Sequence, residues 1–174
     1  AERLTFSGME IEAIERSGAV PPGVVVGEVL SVDPHPNADR LSLCRVAAGG
    51  EPVQVVCGAP DVAAGGRYAF APVGTVLPGG MKLRKATIRG AVSRGMLCAE
   101  DELGWSDRHE GLFAAPADAA PGTPLQDALG PPAEVLVIEV TPNRPDALSM
   151  IGIAREVAAL YGVPLRRPGA EPPE

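Results

Sequence analysis

The chain has 174 residues, room for one ordinary domain or two small ones. Its 22 acidic and 15 basic side chains leave a formal net charge of -7 at pH 7, and 45% of it is hydrophobic, which supports a folded core and excludes a highly charged disordered chain. Aromatics are 3%, confined to Phe6, Tyr68, Phe70, Trp105, Phe113 and Tyr161, too few rings for a single-strand binder that works mainly by base stacking.

The 21 glycines and 19 prolines are scattered between short apolar runs, the pattern of short strands joined by tight turns. No stretch approaches the roughly 20 apolar residues of a membrane span, and no charged-then-apolar leader opens the sequence. Cys44, Cys57 and Cys98 are odd in number and lack C-x-x-C spacing, which argues against a disulfide framework or zinc site and for a reducing, cytoplasmic setting.

In chain order, residues 9–15 alternate from Met9 to Ala13 and are predicted as a strand, with a short helix as the other option because Ile14 falls out of phase. Ser17-Gly18 and Pro21-Pro22-Gly23 end it. The stretch 24–116 reads as all-β, with strands at 24–32, 41–46, 53–57, 67–73, 86–88 and 95–98. So many short strands in one stretch point to a small closed barrel of OB type, because closure removes exposed edges. A linker, 117–125, leads to a short helical piece at 125–129 and a second isolated strand at 134–140. After the turn Thr141-Pro142-Asn143-Arg144-Pro145, Asp146 is placed to cap a helix with apolar positions at Leu148, Ile151, Ala154, Val157, Ala158 and Tyr161, stopped by Gly162 and Pro164. Neither isolated strand can make a core alone. The expected fold is therefore mainly β with an α/β flank: the barrel, 24–116, inserted into a small discontinuous α/β domain of 1–23 and 126–165, followed by a tail, 166–174.

Charge is unevenly spread. The barrel stretch carries nine Lys/Arg and ten Asp/Glu, while the sequence before it is -2 and that after it -4. Inside the barrel, Lys82, Arg84, Lys85, Arg89 and Arg94 fall within thirteen residues that contain no acid, and Glu100-Asp101-Glu102 follows at once. The basic run could face phosphates or pair with its acidic neighbour.

Three passages are more particular than periodicity explains: His35-Pro36-Asn37-Ala38-Asp39-Arg40-Leu41, Gln54-Val55-Val56-Cys57-Gly58-Ala59-Pro60-Asp61, and the run from Ile88-Arg89-Gly90 through Ser93-Arg94-Gly95-Met96 to Glu102-Leu103-Gly104. In this order they resemble the tRNA-binding OB module of some methionine-tRNA ligases and of tRNA-ligase accessory proteins. The flank Glu139-Val140-Thr141-Pro142-Asn143-Arg144-Pro145-Asp146-Ala147-Leu148-Ser149, with Gly152-Ile153-Ala154-Arg155-Glu156, resembles the N-terminal region of the bacterial phenylalanine-tRNA ligase beta subunit. In that family the OB module is inserted in a small α/β domain, the nesting inferred above from the two isolated strands.

Two departures stand out: the family's opening helix is expected to be missing, and Asp61 stands where Asn is usual, which weakens a phosphate contact there. The editing, catalytic-like and anticodon-binding portions are also absent, so the sequence reads as a piece of a larger chain. The resemblance implies a non-catalytic role in tRNA binding and subunit scaffolding. ATP and magnesium are implied for the complete enzyme, where an alpha subunit charges the tRNA, and for no site in this piece.

The candidate RNA-contacting residues are Asn37, Arg40, Lys82, Arg84, Lys85, Arg89, Ser93, Arg94 and Met96. Each has a plainer reading. Asn37 and Asp39 can tie their own loop together, Arg40 can pair with Asp39 or Asp33, and Met96 can fill the core. His35, His109 and the three adjacent carboxylates lack the partners that catalysis or metal binding requires. Two other functions remain open: a protein-protein scaffold with little RNA affinity, and a free-standing tRNA-binding adaptor. A sequence pI of about 4.9 leads to weak binding of tRNA in isolation.

Overall fold

The computed structural model describes residues 1–166, leaving aside the side chains of Arg16 and Ser17. Apart from Arg166, the expected tail lies outside the described residues. The elements are α1 (Glu2–Phe6), β1 (Glu10–Ser17), β2 (Val25–Pro34), β3 (Ser42–Ala47), β4 (Val53–Cys57), β5 (Arg67–Pro72), β6 (Ala86–Ile88), β7 (Ala91–Ser93), β8 (Gly95–Leu97), α2 (Leu125–Leu129), β9 (Ala133–Glu139) and α3 (Met150–Tyr161), with 3-10 turns at Pro78–Gly80 and Pro145–Ala147. The fold is mainly β.

Five antiparallel strands form one sheet in the order β4-β3-β2-β5-β8, β6 pairs with β7, and β1 pairs with β9. The two ends of the five-stranded sheet come together. Arg94 N–H donates to the Gln54 carbonyl at 2.9 Å and Val56 N–H to Ser93 Oγ at 3.1 Å, so the sheet is nearly closed.

Strand β2 sets the two faces. Val25 and Val29 pack into the barrel interior and Val26 into a second cluster on the outer side. The register with β3 then passes from Val29↔Val46 to Ser31↔Arg45, which makes Leu30 an inserted residue. Such a bulge exchanges the faces of the strand beyond it. Val32 thereby returns to the interior while Leu30 is left 46% exposed.

Strand β5 shows no alternation, since Tyr68, Ala69, Phe70 and Ala71 are all buried. Tyr68 and Phe70 join Val29, Cys44, Val46, Val55, Cys57 and Leu97 inside the barrel. Ala69 and Ala71 lie outside it, under Cys98, Leu103, Phe113 and Leu125. The ring of Phe70 fixes how closely its neighbours approach. A Cβ at Gly27 would stand 2.6 Å from Phe70 Cβ and 2.9 Å from Val46 Cγ1, and one at Gly95, where φ is 149°, would collide with the ring edge.

The chain divides into two units: Ser17–Ala133, and Ala1–Arg16 with the described residues from Glu134 on. The barrel unit therefore exceeds the expected 24–116. Residues 117–125 are no linker: Val26 N–H donates to Thr123 O at 2.8 Å, Gly122 N–H to Val26 O at 2.8 Å and Leu125 N–H to Val24 O at 3.0 Å, and Leu125 is fully buried. Backbone pairing by a Gly/Pro-rich stretch leaves no periodicity to read. Helix α2 likewise belongs to the barrel unit.

In the other unit, Leu4, Met9 and Ala147 form the buried centre, with Ile11, Leu136, Ile138, Ile153, Val157 and Leu160 packed on it. A helix does precede the first strand, contrary to expectation; α1 has five residues, too few to show a helical period. The cap of α3 also differs. Ser149 Oγ accepts from Gly152 N–H at 3.2 Å, while Asp146 sits in the preceding 3-10 turn and binds the Arg144 guanidinium at 2.9 and 3.1 Å. The buried face of α3 is Ile153, Val157 and Leu160, whereas Leu148, Ile151 and Tyr161, expected inside, are exposed. Arg144 further reaches Glu156 at 2.9 Å and the Ser7 carbonyl at 2.8 Å, tying both ends of this unit together.

Gly27→Ala is expected to destabilise the barrel by about 1–3 kcal/mol through overpacking, seen as a lower urea midpoint at unchanged m. An unchanged midpoint would mean that Phe70 can yield. In the other unit, the hydrogen bonds from Arg144 hold Asp146 below its ordinary value of 3.8. The stability from this pair is therefore complete above that value and fades as pH falls through the lower folded one. Asp146→Asn should flatten the acid limb of α3 amide exchange, and an acid limb identical to the parent's would contradict the assignment.

Candidate nucleic-acid interface

The basic run forms an arm. Strand β6 pairs antiparallel with β7 in the register Ala86↔Ser93, Thr87↔Val92, Ile88↔Ala91. The two connecting residues, Arg89 and Gly90, have φ of 49° and 92°, the pattern of a type I′ turn. Arg89 is the one described non-glycine residue with positive φ. That backbone costs an arginine on the order of 1 kcal/mol, and such strain often marks a functional position. Every residue of β6 is exposed, and Lys85 and Arg94 are the next residues outward on the two arms of the hairpin.

The His35-Pro36-Asn37 loop meets the tip of this hairpin. His35 is 6% exposed, and its Nε2 lies 3.1 Å from the Ile88 carbonyl while Nδ1 accepts from Asn37 N–H at 3.1 Å. With Nδ1 an acceptor, Nε2 carries the proton and donates to Ile88. Asn37 Nδ2 donates to the Arg89 carbonyl at 3.0 Å. Asn37 thus ties its loop to the hairpin, a contact across more than fifty residues that neither sequence reading of this loop contained. The base of the hairpin is held by Gln54, whose Nε2 donates to the Val92 carbonyl at 2.8 Å.

Arg40, Lys82, Arg84, Lys85, Arg89 and Arg94 are all exposed. None of the six takes part in the described ion pairs, which join Glu28 to Arg67, Asp101 to His109, and Arg144 to Asp146 and Glu156. The acidic run next in sequence does not neutralise the arm. Glu100 accepts from Ser106 Oγ at 2.5 Å, Asp101 contacts His109 Nδ1 at 2.9 Å, and Glu102 accepts from Ala99 N–H at 2.7 Å. The hydrogen bond between Asp101 and His109 lowers the carboxyl's pKa and raises the imidazole's. Asp33 is approached by Ser31, not by Arg40.

Two candidates, Ser93 and Met96, are engaged by their surroundings. Ser93 is 4% exposed, and its hydroxyl donates to the Gly95 carbonyl at 2.9 Å while accepting from Val56 N–H, so it joins β4 to the hairpin and offers no open contact. Met96 is half-buried against the outer cluster, at the wall of a groove of about 490 Å³ shared with Cys57, Pro60, Glu102 and Leu112. Asp61 accepts from Leu112 N–H at 2.8 Å and so anchors the following segment. Cys44, Cys57 and Cys98 are buried free thiols, and burial pushes Cys98 up to about 12.

One cation was missed in the sequence. Arg45 is exposed on β3, directly opposite Gln54 of β4, whose carbonyl takes the Arg94 N–H. Its signal was there, as the outward member of the alternating Cys44-Arg45-Val46. Among the described residues no group of three or more His, Cys, Asp or Glu could hold a metal ion, and no helix is long and apolar enough to cross a membrane.

Residues 24–124 match the family described as "Putative tRNA binding domain". The phenylalanine--tRNA ligase beta subunit of Hahella chejuensis is 47% identical over 167 residues, covering 96% of this chain and 21% of its own length. That of Anaeromyxobacter dehalogenans is 53% identical over 169 residues, covering 97% of this chain and again 21% of its own. The chain thus spans 21% of the length of these relatives. Among solved structures, a Naegleria gruberi RNA ligase aligns over 54% of this chain and 36% of its own with 15% identity and a TM-score of 0.38, too low to define a shared fold.

Ser93→Ala is expected to cost about 1–3 kcal/mol, the penalty for a backbone N–H left without its acceptor, here that of Val56. Thermal melting of the variant measures it; a melting temperature equal to the parent's would show that the Val56 N–H does not depend on the Ser93 hydroxyl.

Proposed function

We propose, from the premise that this chain belongs to the tRNA-binding domain family, that its barrel is an OB fold inserted in a small α/β domain and that it contacts tRNA through the basic arm. In this reading Arg40, Lys82, Arg84, Lys85, Arg89 and Arg94 meet phosphates, Asn37 belongs to the same surface, and Met96 lines the groove beside it. The observation that carries it is the set of six exposed cations without ion-pair partners among the described residues, next to an acidic run that is engaged internally.

The likeness to beta subunits supports a wider context: the N-terminal part of a phenylalanine-tRNA ligase beta subunit, in the cytoplasm, contributing tRNA contacts and scaffolding to aminoacylation. The remaining beta-subunit chain and an alpha subunit are then its protein partners. ATP and magnesium serve the complete enzyme. No step of that chemistry is placed on these residues.

A net charge of -7 opposes strong independent binding, so the isolated chain should bind tRNA in the micromolar range or weaker. Each phosphate neutralised steepens the log-log salt dependence by about 0.9 on duplex and about 0.7 on single strands. Fluorescence anisotropy with tRNA across a salt series should show a steep slope, and Lys82→Ala, Lys85→Ala and Arg89→Ala together should flatten it by about two units or more. Binding that ignores salt, or that survives the triple variant unchanged, would favour a scaffold with little RNA affinity.

A further inference from the structure

We infer that His35 and Asn37 are positioning residues that touch no RNA and act by bracing the Arg89-Gly90 turn, which makes the Arg89 guanidinium the preset phosphate contact of the arm. The inference deepens the tRNA-binding reading above and rests on it.

Three observations converge on this turn. First, the sequence puts an arginine where a type I′ turn prefers Asn or Gly, and Arg89 adopts the left-handed backbone all the same. A fixed left-handed residue directs its side chain differently from any residue in an extended strand, so the turn sets the direction in which the Arg89 side chain leaves the backbone. Second, one continuous relay of hydrogen bonds supports it: His35 Nε2–H donates to the Ile88 carbonyl, Asn37 N–H to His35 Nδ1, and Asn37 Nδ2–H to the Arg89 carbonyl. Two successive carbonyls entering the turn are therefore held from one loop. Because β6 is exposed throughout, its end of the turn is fixed by this relay and by the pairing with β7, which is itself held by the burial of Ala91 and by Gln54. Third, the bracing groups are committed and the braced one is not. His35 is buried with both ring nitrogens engaged, and the amide nitrogen of Asn37 is engaged as well. The Arg89 side chain is exposed and absent from the described ion pairs.

A brace predicts coupling; a direct contact predicts additivity. The test is a double-mutant cycle of Asn37→Ala and Arg89→Ala, read as tRNA affinity and salt slope by anisotropy. Arg89→Ala should flatten the slope by about 0.7–0.9. Asn37→Ala should weaken binding several-fold with part of the same loss of slope, and should add nothing in the Arg89→Ala background. Additive losses would show that Asn37 itself meets RNA, and an unchanged slope in Asn37→Ala would show a merely structural side chain; either result overturns the inference. Arg89→Asn serves as the folded control, keeping the left-handed turn while losing the cation, so its slope should match that of Arg89→Ala.

Hydrogen exchange separates this inference from the reading it rests on. Without any RNA, Asn37→Ala should speed exchange of the β6–β7 amides while those of β2 and β5 keep the parent's rates. If the parent shows no salt-dependent tRNA binding, the functional reading fails and exchange still decides the brace. Unchanged β6–β7 exchange overturns it.

Discussion

The barrel depends on a single close approach: the Phe70 ring, 2% exposed, lies where side chains at Gly27 and Gly95 would stand. Gly27 lies on β2 and Gly95 on β8, the two neighbours of β5, so one ring governs the spacing on both sides of its strand. Interiors packed at crystal-like density leave no slack for an added methyl group at such a contact. Through β8 the constraint reaches outward. Gly95 accepts from Ser93, Ser93 accepts from β4, and from Ser93 the chain runs back through β7 to the hairpin tip. The exposed arm is thus referenced to the deepest part of the core.

Electrostatics complete the arrangement. In a chain of net charge -7, the six cations of the candidate surface take part in none of the described ion pairs, and the carboxylates of the adjacent acidic run are bound to other groups. The structure does this locally: Glu102 closes a turn on Ala99, Glu100 binds Ser106, and Asp101 binds His109. The acidic run is thus tied to its own neighbours by hydrogen bonds, with no described ion pair to the arm. Arg67 and Arg144, by contrast, are the arginines with described carboxylate partners, and both serve to hold structure together.

What the sequence disclosed follows from which forces are local. Residues 53–57 and 86–88, bounded by turn residues, were read with the limits that β4 and β6 have, and 125–129 with those of α2. Three-residue β7 was not separated from its surroundings, and the insertion at Leu30 was invisible, because 24–32 is one continuous apolar run whose change of face depends on β3. The phase of α3 was misjudged for a similar reason. Leu148 and Ile151 are as apolar as Ile153, and only packing on β9 and α1 distinguishes them. At the candidate interface, the run from Lys82 to Arg94 stands out in the sequence because it contains no acid, while Arg45 lies outside it. The role of Ser93 was not legible, since its partner Val56 lies 37 residues away, and neither was the Asn37 bond to Arg89, 52 residues away.

The inserted Leu30 gives β2 a built-in change of parity. Excising this one residue would leave Ser31 next to Val29 and still opposite Arg45, with Val32 still opposite Cys44 and facing the interior, so the alternation would run unbroken and the strand would lose only its local bend. A barrel of this kind can therefore gain or lose one residue at a bulge without turning its core-facing side chains outward; what changes is the local bend and twist of the strand.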